Sequence, residues 1–524
     1  MKKSHFYKFS SQSLVLSRTL LVLFLSVISF HVYSQETYVS KTTQTVKPVV
    51  MNFMEQVAEF NANPPTLTPE LKTPKNPTLF PVNPIPNGVS ANIFTGKPKI
   101  SGVGNQLQAP SANAPSPAPS VGFTAIIDNG VTIPPDVAGA VGPNHVMTTL
   151  NNGIMIQDKT GGNSVFINDT TFFTVEVAGN IFDPKILYDK NTQRYYFVDL
   201  DGSSPTSSGI LLAVSQTNDP TGNWNQYRFQ SNIGTSTVWF DYPVVGYNKD
   251  WIVVSGNMFT GGGSFSTAKI FVINKSDVLA GLATTPSEFT PSGSTISPAV
   301  VDDSTTNFIP LVGRWNSSAG TIRVSKINGV PPAAPTFTDV GFPSLGAANG
   351  WSNGFRNGNF GPQMGMTSAT NGLAPGDTRM SQSFYKNGKL WATHTAFLSQ
   401  TVSAATVQRG AVQWFSINPN TATINEWGRI DDSTTTNLTS FDVATNSFSF
   451  SSIAVNDNED ILLNFAHFSP NHYPSASYAI RPAGNASFDD VYLYKSGVEH
   501  YYKDFFSGRN RWGDYTLAMV DPVN

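Results

Sequence analysis

"DPKILYDKNTQRYYFV", residues 183–198, decides the fold. It opens on an acid and a proline, runs through a short apolar stretch, turns over Asp189 to Gln193 and resumes as an aromatic-rich run. Two short runs on either side of an Asp/Asn turn read as paired antiparallel strands. The same shape returns from Pro134 ("PPDVAGAVGPNHVMTTL"), Asp241 ("DYPVVGYNKDWIVVS") and Ser297 ("SPAVVDDSTTNFIPLVG"). It returns again from Met380 ("MSQSFYKNGKLWATHT"), Ser451 ("SSIAVNDNEDILLNFA") and Trp512 ("WGDYTLAMVDPVN"). The starts lie roughly 50 to 80 residues apart, the spacing of a repeat architecture with long loops.

Two further strands fit between successive starts. After Asp183 come "KILYD", "RYYFVDL", "GILLAVSQ" and "WNQYRFQ", separated by turn residues. Four antiparallel strands per unit, repeated radially, is the β-propeller pattern, and the long period disfavours a sandwich array or a β-helix. Residue size agrees with position. The first run of each unit is small or β-branched ("AGAVG", "PVVG", "PAVV"), as the narrow central channel requires, and the second carries the bulk ("RYYFV", "DWIVV", "LWATH"). The expected fold is all-β: a propeller of six four-stranded blades, or seven, over residues 121–524.

Bulk composition points the same way. Of 524 residues 13% are charged and 12% aromatic, with 42 Gly and 36 Pro, which suits short strands joined by turns rather than helical bundles. A net charge of −3 leaves no electrostatic footprint for nucleic acid or an anionic membrane. Cysteine is absent, which excludes disulfides, thiol catalysis and thiolate metal sites.

Residues 1–34 read as a signal peptide: basic Lys2, Lys3 and Lys8, an apolar stretch from Thr19 to Phe30, then Val32-Tyr33-Ser34 before Gln35. That stretch is short for a bilayer span, so the expectation is a secreted protein, extracellular or at the cell surface, with no membrane span after cleavage. Residues 35–120 form a Pro-rich, largely irregular linker ending in "APSPAPS". Within it "VVMNFMEQVAEFN" (Val49 to Asn61) has the composition of a short helix.

Five stretches carry a resemblance: "PPDVAGAVGPNHVM…IQDKTGG", "YDKNTQRYYF", "AVSQTNDPTGNW", "DYPVVGYNKDWIVVSGNMF" and "RNRWGDYTLAMVDP". From about Phe123 onward the chain resembles a family of secreted bacterial β-propeller proteins, distantly similar to sialidase-type propellers. The resemblance implies fold and export rather than chemistry. Several members carry a sorting domain for type IX secretion; such a domain is not expected here. Sialidase chemistry would need converging arginines and a Tyr activated by Glu. Beyond the linker Glu occurs only at 176, 288, 426, 459 and 499, none opening a first strand, and the S-x-D-x-G-x-T-W box is missing.

The most regular polar feature is an Asp near the start of the inner strands: Asp136, Asp183, Asp241 and Asp514. First strands begin at one rim of the channel, so these carboxylates should converge there. Such a ring could bind sugar hydroxyls, a basic partner or a cation, Ca2+ being the ion it would admit, although no cofactor is required. The competing reading is that each Asp closes its own turn by bonding local backbone. Arg511 and Trp512 join the same rim, to stack on a ligand or to pair with one of the acids. His394 reads as a packed residue. "GWSNG" around Ser352 matches a nucleophile-elbow pattern but sits in a Gly/Asn loop, and "DLDG" (Asp199 to Gly202) lacks the Glu of a calcium loop. "NDNED" (Asn456 to Asp460) reads as a solvated hairpin.

These residues point to a non-catalytic, monomeric propeller binding an extracellular glycan or protein on its rim face. A glycoside hydrolase or lyase and a surface scaffold or adhesin are the alternatives. The segment from Trp512 is the first strand of a unit without its other three. Either N-terminal strands complete that unit, which places Tyr515 to Val520 beside His145 to Leu150, or its edge stays unpaired.

Overall fold

The computed structural model describes residues 37–38, 40–42, 44–65, 70–71, 84–86, 88–96, 99–102, 114–127, 130, 132–151, 153–234, 236–352, 359–365, 372–398, 409–432, 446–503 and 508–523. The signal-peptide stretch lies outside them.

Six of the seven repeated segments are inner strands of six consecutive four-stranded antiparallel blades. The inner strands are Ala138–Val141, Ile181–Asp189, Val238–Tyr247, Ile296–Pro298 continued by Val300–Val301, Met380–Lys386 and Ser447–Val455. Each pairs with the next strand along the chain, as Ile181–Asp189 does with Arg194–Asp201 and then Gly209–Ser215 and Asn223–Gln230. The expected propeller is therefore present. The inner strands converge on the axis, where Val137, Val244, Gln382 and Leu517 meet around a channel void of about 30 Å³.

Alternation along each strand gives every blade two apolar faces, and neighbouring faces fuse into shared cores. Blades 1 and 2 share Met147, Ile154, Ile186 and Trp224. Blades 2 and 3 share Leu212, Tyr227, Val254 and Phe271. One cluster joins blades 3, 4 and 5, and Trp391, Trp414, Ile453 and Phe465 join blades 5 and 6. Among the described residues no such cluster joins blade 6 to blade 1.

The tract read as a linker runs along the outer rim. Thr37–Tyr38 pairs with blade 4, Lys41–Thr42 with blade 3 and Val49–Asn52 with blade 2. Lys99–Gly102 pairs with blade 5 and Pro115 bridges to Asp490 of blade 6. These short strands cover blade edges that would otherwise expose unpaired backbone. The helix expected near Val49 is Phe53–Ala62. Asn52 caps it by accepting from the Glu55 amide at 3.1 Å, and Phe53 and Val57 are its buried anchors.

The seventh segment does not close the ring by strand pairing; its edge stays unpaired among the described residues, the other expectation for it. Tyr515 to Val520 forms no ladder with His145–Leu150; among the described residues its backbone pairs with no strand. Nor is it left loose. It lines the channel between blade 6 and blade 1, held by side chains: Asn464 Nδ2 donates to the Leu517 carbonyl at 3.2 Å and Gln382 Nε2 to the Ala518 carbonyl at 3.3 Å.

Candidate functional site

One end of the channel is built by a recurrent backbone device. The inner strands of blades 2, 3 and 6 are bulged between Phe182 and Lys185, Asp241 and Val244, and Ser449 and Ser452. Inside each bulge one residue has positive φ: Asp183 (65°), Tyr242 (59°) and Phe450 (56°), and Asp136 (50°) precedes the inner strand of blade 1. Such values are uncommon outside glycine and costly for Tyr and Phe. Pro184 and Pro243 follow two of them, where the ladder is already broken and no amide is needed.

This device corrects the sequence alignment of the rim. The sequence pattern aligns Asp241 with Asp183 as an acid near the start of an inner strand, but the backbone equates Asp183 with Tyr242. A one-residue offset in an extended strand changes the face a side chain takes. Asp136, Asp183 and Asp514 do come together, one oxygen from each within 4.8 Å of the others; Asp241 is outside that group.

The three acids are tied into the wall. Asn151 Nδ2 donates to Asp136 Oδ2, and Asn151 Oδ1 accepts from the Asp183 amide, both at 2.7 Å, which clasps blade 1 to blade 2. Asp183 Oδ2 also accepts from the Tyr242 amide at 3.1 Å and the Tyr515 hydroxyl at 3.3 Å. Arg511 pairs with Asp514 at 2.5 Å. Burial works against the Arg511 charge, but Asp514, Asp136 and Asp183 outweigh it and hold the guanidinium's pKa above its usual value. Burial, then the nearby Asp183, pushes the Tyr515 phenol well above the ordinary tyrosine range. Beside them Arg379 pairs with Asp377 at 2.6 Å and lies over the Tyr242 ring.

Asp136 and Asp183 are fully buried, and the void beside Asp514 and Arg379 measures about 10 Å³, room for at most a water. In chemical type the three carboxylates suit a hard cation. Arg511 already supplies a positive charge at that point, so the arrangement does not demand a metal. The pairing reading of Arg511 describes the geometry, whereas Asp136 and Asp183 bond to Asn151 and to the Tyr242 amide of the next blade rather than closing their own turns.

Open space lies at the side instead. The faces that blades 1 and 6 turn towards one another bound a cleft of about 710 Å³. Val146, Thr148 and Leu150 form one wall and Leu462, Asn464 and Ala476 the other; the seventh segment forms the floor. Tyr494, Tyr501 and Trp512 bring aromatic rings to it and Lys503 a cation, while no Asp or Glu is among the described lining residues. Trp512 packs edge-on against Tyr501 with centroids 5.0 Å apart. Of the rim residues expected from sequence, only Trp512 lines this space. Sequence reasoning missed Asn151, Tyr242 and the cleft tyrosines; the one available signal was "YLY" at 492–494, with an aromatic on every second residue.

The other motifs have structural roles. His394 is fully buried, Ser352 sits in a loop with its amide bonded to the Phe397 carbonyl, and Asp201 of "DLDG" pairs with Arg228 at 2.9 Å. "NDNED" is a hairpin turn closed by the Asn456 amide on the Asp460 carbonyl.

The fold and the cleft define a six-bladed propeller with a lateral cavity at one blade junction. No family model matches this chain, and no curated protein matches it. Among solved structures it is similar to an ulvan lyase of a new polysaccharide lyase family bound to -[GlcA(1-4)Rha3S]-, at 11% identity over 74% of this chain and 87% of that one, with a TM-score of 0.36. It is also similar to the Trypanosoma rangeli sialidase in complex with sialic acid, at 9% identity over 73% and 60%, with a TM-score of 0.34. Likeness at this level assigns no residue and no chemistry here.

Proposed function

We propose that the protein is an exported, non-catalytic propeller that binds an extracellular glycan or protein in the cleft between its first and sixth blades. One observation carries this reading: the large cavity is walled by apolar and aromatic side chains and has no carboxylate among its described lining residues. Glycosidic hydrolysis needs two carboxyl groups facing the scissile bond. The carboxylates that could have served are buried around Arg511, where they brace the floor of the cleft. Ligand pockets are concave, largely apolar and of this size. The basic and apolar stretches of residues 1–34 support export.

The test is a binding screen of the protein against extracellular glycans and cell-surface proteins, with product analysis on every hit. A ligand is expected to bind, to lose about tenfold or more in affinity in Tyr494→Ala, and to be recovered intact. Tyr494 is 43% exposed, so its loss should spare the fold. Release of shortened or unsaturated sugar would replace this reading with an enzyme.

A further inference from the structure

The cleft occupies the place where, at the other five junctions, one blade face meets the next. Its walls are pleated sheet faces: Val146, Thr148 and Leu150 alternate along one strand, Leu462 and Asn464 along another. Its floor is an extended segment in inner-strand position: Thr516 and Leu517 line the channel with the inner strands of blades 1, 2, 3 and 5, and Met519 and Val520 with those of blades 2 to 6. Those six each carry three outward neighbours; Tyr515 to Met519 carries no paired strand among the described residues. Two pleated apolar walls and an extended floor match a β-sheet better than a compact ligand, because strand addition supplies main-chain bonds and alternate side chains fill alternate pockets.

We propose that the cleft takes an extended β-segment of another polypeptide, apolar at alternating positions, which pairs along Tyr515 to Met519 and lies between blades 1 and 6 as the outer part of a seventh blade. The inference rests on the cleft being a binding site and narrows its ligand to polypeptide. The blade junctions already present in this chain are the pattern for the contact: the same faces, with apolar residues on both sides of the inserted sheet. Specificity would follow from which alternate positions are apolar.

The test uses the whole protein and a fluorescein-labelled synthetic peptide copying residues 194–215, the second and third strands of blade 2. Saturable one-to-one binding is expected with a Kd on the order of 10 µM. Thr148→Trp and Ala476→Trp, which fill the cleft from opposite walls, should each weaken it about tenfold or more. Thermal melts equal to the parent's would show that both variants fold. A control peptide with Asp at the alternate apolar positions should not bind. Three results overturn the proposal: no saturable peptide binding, binding unchanged in both Trp variants, or self-association that buries the cleft between two copies. A glycan that binds with sensitivity to the Trp variants, where the peptide does not, overturns it and leaves the cleft as a binding site. Failure of every ligand removes both readings.

Discussion

Arg511→Met unfolds about 3–5 kcal/mol more easily than the parent, because removing one partner leaves buried charge without its counterion. The effect is large because Arg511 faces three acids, Asp514 directly and Asp136 and Asp183 beyond it. Asn151 holds the Asp136 carboxylate, the Tyr242 amide and the Tyr515 hydroxyl hold that of Asp183, and both residues are fully buried, so neither acid can turn towards water. The melting temperature should fall by roughly 5–15 °C. Arg511→Lys keeps the charge but not the planar fork and should fall between the two. The double variant Arg511→Met/Asp514→Leu should recover part of the loss, with a coupling of at least about 1 kcal/mol. Equal stability of Arg511→Met and the parent would show that the acids do not need the guanidinium.

Acid weakens the fold through its buried histidines. The His394 Nδ1–H donates to the Thr395 carbonyl at 2.9 Å, and Nε2 accepts from the Gln413 amide at 3.0 Å. Arg429 donates to Gln413 Oε1 at 2.6 Å and so fixes that amide's orientation. A second ring proton would meet the amide donor head-on. Burial, with Arg429 and Arg314 adding to it, pulls the His394 pKa down to about 3. His467 and His472 are shifted downward too, chiefly by burial. A depressed folded pKa means that the unfolded chain takes up protons first. For His394 the stability is therefore present above about pH 6.5 and is lost as pH falls towards 3, by about 1.4 kcal/mol per pH unit, and His467 and His472 act in the same direction. Between pH 6.5 and 4.5 His394 alone should account for about 2 kcal/mol. Urea midpoints at the two pH values measure it, and His394→Gln should shrink the difference by about that amount. An unchanged difference would place the sensitivity elsewhere.

How far the sequence carries can be judged from particular elements. The inner strands were legible because a narrow channel favours small and β-branched residues, and that preference is written locally in "AGAVG" and "PVVG". The meeting of Asp136, Asp183 and Asp514 was legible for the same reason. Asp241 was misplaced because the true equivalence lies in a backbone conformation at Tyr242, which no side-chain pattern announces. The rim strands of the Pro-rich tract run two to four residues each, too short for any periodicity to show. The cleft is the least legible feature. It exists because the first and last blades, more than 300 residues apart along the chain, do not share a core, and only a three-dimensional arrangement can express that.

The claim at the centre of this account is that ligand enters between blades 1 and 6, and amide hydrogen exchange with and without a ligand from the binding screen tests it most directly. The account predicts slowed exchange in Val137 to Leu150, Leu462 to Ala476 and Tyr515 to Met519, with the Asp-lined mouth unchanged. Protection confined to Val238 to Tyr242 and Gly376 to Ser381, with those three segments unaltered, would contradict it.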